Sequence, residues 1–327
     1  MFAPIRQSLR STTITSQLAR SIRTSSIVQS QPLPSNPVPT STSSPLASEA
    51  ETQTSASNKP ESSKTTHFGF KTVPEAEKEG MVRGVFSSVA SSYDVMNDAM
   101  SLGIHRLWKD DFVSTLNPGG RGRQGWSCLD VAGGTGDIAE RILDHARLKH
   151  ADRDVKVEIL DINKEMLAEG EKRFRKTMYH GGPQISFTHG NAQALDIPSA
   201  SKDLYTISFG IRNCTDIPAV LEEAYRVLKP GGIFCCMEFG KVTNPLFAGI
   251  YRQYSFSMIP LLGQILASDR DSYQYLIESI ERFPSQPDFA QMIREAGFQT
   301  GEMREGEGGA WRDLTGGIAS IHTAVKL

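Results

Sequence analysis

The first stretch able to do chemistry is Leu129-Asp130-Val131-Ala132-Gly133-Gly134-Thr135-Gly136-Asp137. Glycines directly after a strand let the backbone approach a ligand, and the helix that follows offers unpaired N–H groups. Gly134, Gly136 and Ala139 also fit the dinucleotide fingerprint, so this stretch alone does not choose between nucleotide cofactors. Asp161, at the end of the next strand pattern, is placed to accept both hydroxyls of a ribose and serves any adenosine-containing cofactor equally. Two later stretches do discriminate. His189-Gly190-Asn191-Ala192 closes the third strand pattern, and Leu221-Glu222-Glu223-Ala224-Tyr225-Arg226-Val227-Leu228-Lys229-Pro230-Gly231-Gly232 leads into the fifth. Nicotinamide-dependent oxidoreductases lack that Leu-Lys-Pro-Gly-Gly entry.

These residues need elements to position them. A helical entry region is predicted from about Glu75 to Leu116, ended by Asn117-Pro118-Gly119-Gly120. Strand patterns follow at Ser127–Val131, Val155–Leu160, Ile185–Thr188, Leu204–Phe209 and Ile233–Glu238, with helical patterns between them. Strands alternating with helices in this way specify an α/β fold, a doubly wound and mostly parallel sheet covered on both faces. Such a sheet binds ligands at the carboxyl ends of its strands, where the strand order switches. The block from Asn244 to Asp271 is rich in aromatics and reads as a lid or substrate-side insertion. A helix over Phe289–Ala296 and two more strand patterns complete the chain.

Composition narrows the classes of function. Of 327 residues, 35 are basic and 37 acidic, and the formal charge of −2 is unevenly spread. Arg6, Arg10, Arg20 and Arg23 precede the first acid, Glu49, so the stretch before it carries +4 and the remainder −6. A folded part of that sign is a poor match for phosphate backbones, which argues against nucleic acid as a partner. Residues 1–28 are Arg- and Ser-rich, free of acid and weakly amphipathic, as in a mitochondrial transit peptide. Residues 29–66, rich in Ser, Thr and Pro, bury too little apolar surface to fold and read as a disordered linker, leaving 67–327 as the folded domain. Cys128, Cys214, Cys235 and Cys236 form no C-x-x-C pair and have no histidine at zinc spacing, so they read as reduced thiols, with no metal expected.

Taken in order, the stretches around Gly134, Asp161, Asn191 and Pro230 resemble the class I S-adenosylmethionine-dependent methyltransferases. Ala132 stands where that superfamily's motif has its first glycine. The resemblance sharpens with Tyr93-Asp94-Val95-Met96-Asn97, Ser101, His105 and Trp108, then Phe209-Gly210-Ile211-Arg212-Asn213, Glu238-Phe239 and Leu314-Thr315-Gly316-Gly317-Ile318. Together these resemble the UbiE family, C-methylases of quinol rings in ubiquinone and menaquinone biosynthesis. That family usually has Ser where this chain has Gly240.

The resemblance implies S-adenosylmethionine as methyl donor, held by Asp130, Gly134, Thr135, Gly136, Asp161, Asn191, Ala192 and Ser208. The transit-like leader then points to the ubiquinone branch and a polyprenylated benzoquinol. A substrate that partitions into bilayers implies peripheral contact with the matrix side of the inner mitochondrial membrane, and the resemblance implies membership of a multi-enzyme complex; a homodimer is left open. For the chemistry, Arg212 is expected to stabilise a developing phenolate and Asn213 to orient the ring hydroxyl. Tyr93 and Asp94 are expected to close over the site, with Asp94 or a water as proton acceptor. Blander readings stand beside these. Arg212 can pair with a surface carboxylate such as Asp216, His105 reads as a packing or capping histidine, and Trp108 and Phe112 read as core. The stripe Tyr251, Tyr254, Phe256, Met258, Leu261, Leu262, Ile265 and Leu266 fits a core or a channel for a greasy tail.

Overall fold

A computed structural model describes residues 65–90, 97, 98, 100–120, 122, 124–267, 269–306 and 308–327. The leader over 1–28, most of the linker, Tyr93 and Asp94 lie outside the described residues. Among the described residues the first element is a hairpin that composition did not suggest: β1 (Thr65–Phe68) pairs antiparallel with β2 (Lys71–Pro74) around Gly69. Thr65 and Thr66 therefore belong to a strand and not to the linker. The single entry region predicted from Glu75 resolves into α1 (Glu75–Val89) and α2 (Ile104–Leu116).

The central strands are β3 (Ser127–Val131), β4 (Lys156–Asp161), β5 (Ile185–His189), β6 (Lys202–Ser208) and β7 (Leu228–Phe239). Helices α3 (Asp137–His150), α4 (Lys164–Phe174) and α5 (Ile217–Val227) connect them. The insertion is two helices, α6 (Pro245–Ala267) and α7 (Arg270–Arg282), and α8 (Gln286–Glu295) leads into the last strands. These are β8 (Gln299–Thr300), β9 (Glu302–Glu305), β10 (Gly309–Leu314) and β11 (Ala319–Val325), four where the pattern suggested two.

The sheet runs β5-β4-β3-β6-β7-β11-β10-β9, with β8 also on β11. β5 through β7 are parallel, and β11 enters antiparallel against β7 from Ala319↔Phe239 to Val325↔Ile233. Strands covered on both faces read as nearly unbroken apolar runs, and every residue of β6 before Ser208 is buried. One core packs α2, α3 and α4 against the sheet through Phe112, Ile142 and Phe174. The opposite core packs α5 and α8 through Leu221, Phe234 and Phe289. The chain leaves β3 toward β4 and later returns to β6 on its other side, so the switch in strand order lies between β3 and β6.

Helix starts are fixed locally. Asn163 Oδ1 accepts from Met166 N at 3.0 Å to cap α4, and Asp216 Oδ1 accepts from Ala219 N at 3.0 Å to cap α5. No helix among the described residues is long and apolar enough to cross a membrane.

Candidate functional site

A cavity of about 370 Å³ opens over the carboxyl ends of β3 and β6. The volume is in the range of small-molecule sites. Its floor is the turn after β3. Gly134 sits at φ +54°, where a Cβ would lie 3.0 Å from the Met166 methyl, and its N–H donates to Asp161 Oδ2 at 2.9 Å. The other Asp161 oxygen accepts from Asn163 N at 2.8 Å. Burial pushes the Asp161 carboxyl above its usual range, against those backbone donors. Ala132, in place of the superfamily's glycine, holds φ +50°, and Gly210 beside it leaves room: a Cβ there would lie 2.4 Å from the Ala132 methyl.

Asp130, Gly134, Thr135, Asp161, Asn191, Ala192 and Ser208 all line this cavity, as do Arg212 and Asn213. Gly136 does not. It faces the interior of the sheet layer, where a Cβ would meet the Phe174 ring at 2.6 Å, so its work is to let the turn pack. Asn191 Oδ1 accepts from Gln193 N at 2.9 Å and its Nδ2 is 3.4 Å from Glu79 Oε2, an α1 carboxylate the sequence did not single out.

Three polar atoms in the cavity wall are buried without a partner: Asp130 Oδ2, Ser208 Oγ and Asn213 Nδ2. Buried polar groups are nearly always satisfied, so orphans gathered in one cavity mark where a polar ligand fits. Asp130 Oδ1 accepts from Thr206 Oγ1 at 2.7 Å, and burial pushes the carboxyl up to about 7. The glycine turn, the ribose-placed carboxylate and these orphans fit an adenosine-containing donor bearing a polar tail.

Arg212 pairs with Glu238 and not with Asp216. Its Nη1 donates to Glu238 Oε1 at 2.7 Å and to Phe209 O at 2.6 Å, and its Nε to Ser279 Oγ at 3.3 Å. Asp216 is occupied as the α5 cap. Asn213 Oδ1 accepts from Tyr275 Oη at 3.0 Å. Tyr275, stacked on Phe68 with ring centroids 4.2 Å apart, was not foreseen, because nothing in the local pattern of α7 separates a phenol at a site from one in a core.

Helix α2 forms another wall. Trp108 is buried, as expected, but its Nε1 donates to Thr315 Oγ1 at 2.9 Å, and Lys109 Nζ donates to Asp137 Oδ2 at 2.7 Å. The insertion divides. Tyr251, Tyr254 and Ile259 line the cavity, whereas Leu246, Ile250, Met258 and Leu261 are exposed. Cys128, Cys235 and Cys236 are buried free thiols and Cys214 is half-buried. Among the described residues no cluster of His, Cys, Asp or Glu could hold a metal.

Residues 73–326 match the model of the ubiE/COQ5 methyltransferase family. The chain belongs to that family. It is similar to the mitochondrial 2-methoxy-6-polyprenyl-1,4-benzoquinol methylase of Schizosaccharomyces pombe, 57% identical over 84% of this chain and 89% of that one. It is also 50% identical to the ubiquinone/menaquinone biosynthesis C-methyltransferase UbiE of Paracoccus denitrificans, over 82% of this chain and 99% of that one. Among solved structures, the [4+2]-cyclase SpnF aligns with a TM-score of 0.50 at 15% identity, covering 76% of this chain and 96% of that one, a likeness of fold alone. As a ubiE/COQ5 member the chain is a methyltransferase of class I fold, and its methyl donor is S-adenosylmethionine.

Proposed function

We propose that this chain methylates a ring carbon of a 2-methoxy-6-polyprenyl-1,4-benzoquinol during ubiquinone biosynthesis. The observation that carries the reading is the pairing, in one cavity, of an orphaned donor at Asn213 Nδ2 with an apolar wall from α6 and α2. The 57% identical relative bearing that name supports it. Bound S-adenosylmethionine supplies an electrophilic methyl on a sulfonium. The residues of the chain do the rest. Asp161 and Asn191 orient the adenosine end, Asp130 and Ser208 meet the polar tail, and Asn213 Nδ2 donates to a ring oxygen of the quinol. Arg212, its Nη1 already held by Glu238, fixes the turn carrying Asn213 and presents positive charge to a developing phenolate. The apolar side chains exclude water and hold ring and methyl at reacting distance.

The proposed location is the matrix side of the inner mitochondrial membrane, peripherally bound, within a multi-enzyme assembly. The Arg-rich leader supports a mitochondrial address, as do relatives named mitochondrial. The exposed Leu246, Ile250, Met258 and Leu261, in a stretch with no acid between Glu238 and Asp269, suit contact with a lipid surface that delivers a polyprenyl tail.

Full chain, labelled S-adenosylmethionine and a short-tailed methoxy-benzoquinol kept reduced are expected to yield one product bearing a new carbon-bound methyl, resolved by mass. Cofactor binding without transfer, or methyl found on oxygen, would overturn the reading.

A further inference from the structure

Ring methylation needs a proton acceptor. As the aromatic carbon bonds to the methyl, the S–CH₃ bond breaks and its electron pair stays on sulfur. Charge for that attack comes from a ring hydroxyl that has given up its proton. The ring C–H proton then leaves, the ring regains aromaticity and the phenolate is reprotonated, so one proton is released per turnover.

Most ionisable groups lining the cavity are committed elsewhere. Asp137 holds Lys109, Arg141 and Arg173. Both Asp161 oxygens accept backbone N–H groups, and Arg212 is paired with Glu238. Asp130 accepts from Thr206 Oγ1 through Oδ1 and is assigned to the cofactor in the proposed reading, and Glu79 Oε2 faces Asn191 Nδ2. Burial pushes the Tyr251 and Tyr275 phenols above their ordinary range and the Cys214 thiol up to about 12.

His105 differs. It lines the cavity from α2, on the face that carries Trp108 and Lys109. Ser101 Oγ donates to Asn97 O at 2.7 Å and also lies 2.7 Å from His105 Nδ1. A hydroxyl has one hydrogen, and here it is given to Asn97, so Nδ1–H must donate to Oγ. The neutral ring then carries its lone pair on Nε2. The nearest carboxylate, Asp98 Oδ1, is 3.7 Å from Nε2, too far for a hydrogen bond, and Arg106 grips Asp98 through Nε and Nη2 at 2.6 Å each. Asp98 is thus placed to stabilise an imidazolium once it forms. Ser101–His105–Asp98 has the makings of a general base: the tautomer is fixed at Nδ1, and the lone pair on Nε2 has a counter-charge 3.7 Å away without a hydrogen bond to it.

We propose that His105 Nε2 accepts the proton of the acceptor's ring hydroxyl, with Ser101 as its positioning residue. This rests on the benzoquinol reading and adds to it the group that the sequence left open among Tyr93, Asp94, Arg212 and water, with Asp94 or water preferred. Burial and Lys109 lower the pKa of His105, with Arg106 adding slightly, against Asp98 and Asp137, so the ring is neutral at pH 7 and able to accept.

The test uses the full chain at saturating S-adenosylmethionine, with a short-tailed reduced methoxy-benzoquinol, between about pH 5.5 and 9. Wild-type kcat/KM is expected to fall about tenfold per pH unit on the acid side, with a midpoint below 6.5. His105→Asn should lower kcat by about 10² or more and abolish that limb, while cofactor affinity by calorimetry stays within about threefold. Ser101→Ala should shift the limb and lower kcat with KM unchanged. ¹⁵N NMR of wild-type histidines should report His105 as the Nδ1–H tautomer, a readout that needs no variant to fold. An Nε2–H tautomer would overturn the assignment, as would an intact limb in His105→Asn or a limb removed by Asp94→Asn instead. A wild type that fails to methylate the quinol removes the benzoquinol reading and this role together; a wild type that works equally well with Asn at 105 removes this role alone.

Discussion

Tyr275 Oη donates to Asn213 Oδ1 over 3.0 Å, joining α7 to the turn after β6, while Asn213 Nδ2 is buried without a partner. A hydroxyl on the insertion thus anchors one edge of a sheet-end amide whose residue lines the cavity. Tyr275→Phe keeps the ring stacked on Phe68 and removes only that anchor. A neutral hydrogen bond is worth about 1 kcal/mol net, so kcat/KM for the quinol should fall roughly five- to tenfold with cofactor affinity unchanged. In a double-mutant cycle Asn213→Ala should absorb the Tyr275→Phe effect, since the phenol acts through that amide. Additive losses would show that Tyr275 acts on its own.

Gly240, where the sequence resemblance leads one to expect Ser, is tightly packed. A Cβ there would lie 2.8 Å from Gly317 O and 2.7 Å from Gln286 Nε2. Gln286 is itself committed, accepting from Lys241 N at 3.0 Å and donating to Lys241 O at 3.0 Å. Backbone on one side and a doubly bonded amide on the other leave the added atom nowhere to go. Gly240→Ser should destabilise the fold by about 1–3 kcal/mol, read as a lowered denaturation midpoint with an unchanged m-value.

Asp130 gives a pH prediction whose sign follows from its burial. Its carboxyl is pushed up to about 7 when folded, above its unfolded value, so its contribution to stability is complete in acid and is lost as pH rises toward 7. The loss approaches about 4 kcal/mol above that pH by linkage. Asp130→Asn, measured without ligand, should therefore match wild type near pH 4 and be the more stable protein at pH 8. It should also bind S-adenosylmethionine at least about tenfold more weakly, because Oδ2 is one of the unpartnered acceptors of the cavity. Equal stability of the two proteins at pH 4 and pH 8 would mean that Asp130 ionises normally.

The parallel part of the fold was legible because each step has a local cause: short apolar runs, a glycine turn, then a helical period. That Gly134, Thr135, Asp161 and Asn191 come together in one cavity was legible for the same reason, since all sit at strand ends whose position follows from the alternation. The hairpin β1–β2 escaped because four-residue strands carry too little pattern. The extra strands β8, of two residues, and β9, of four, escaped in the same way.

What only tertiary structure decided is which distant groups answer one another. Arg212 found Glu238 and not Asp216, because β7 lies beside β6 while Asp216 is drawn off to cap α5. Tyr275 reached Asn213 only because α7 folds back over the strand ends. His105 read as a packing residue by its spacing from Trp108, but its ring faces a cavity that α2, β3, β6 and α6 build together. The sequence determined the sheet, its turns and the strand ends that floor the cavity, since propensity and period act over a few residues. The pairing of charges and the aim of Asn213 and His105 depend on partners tens to hundreds of positions away, and no local rule encodes those.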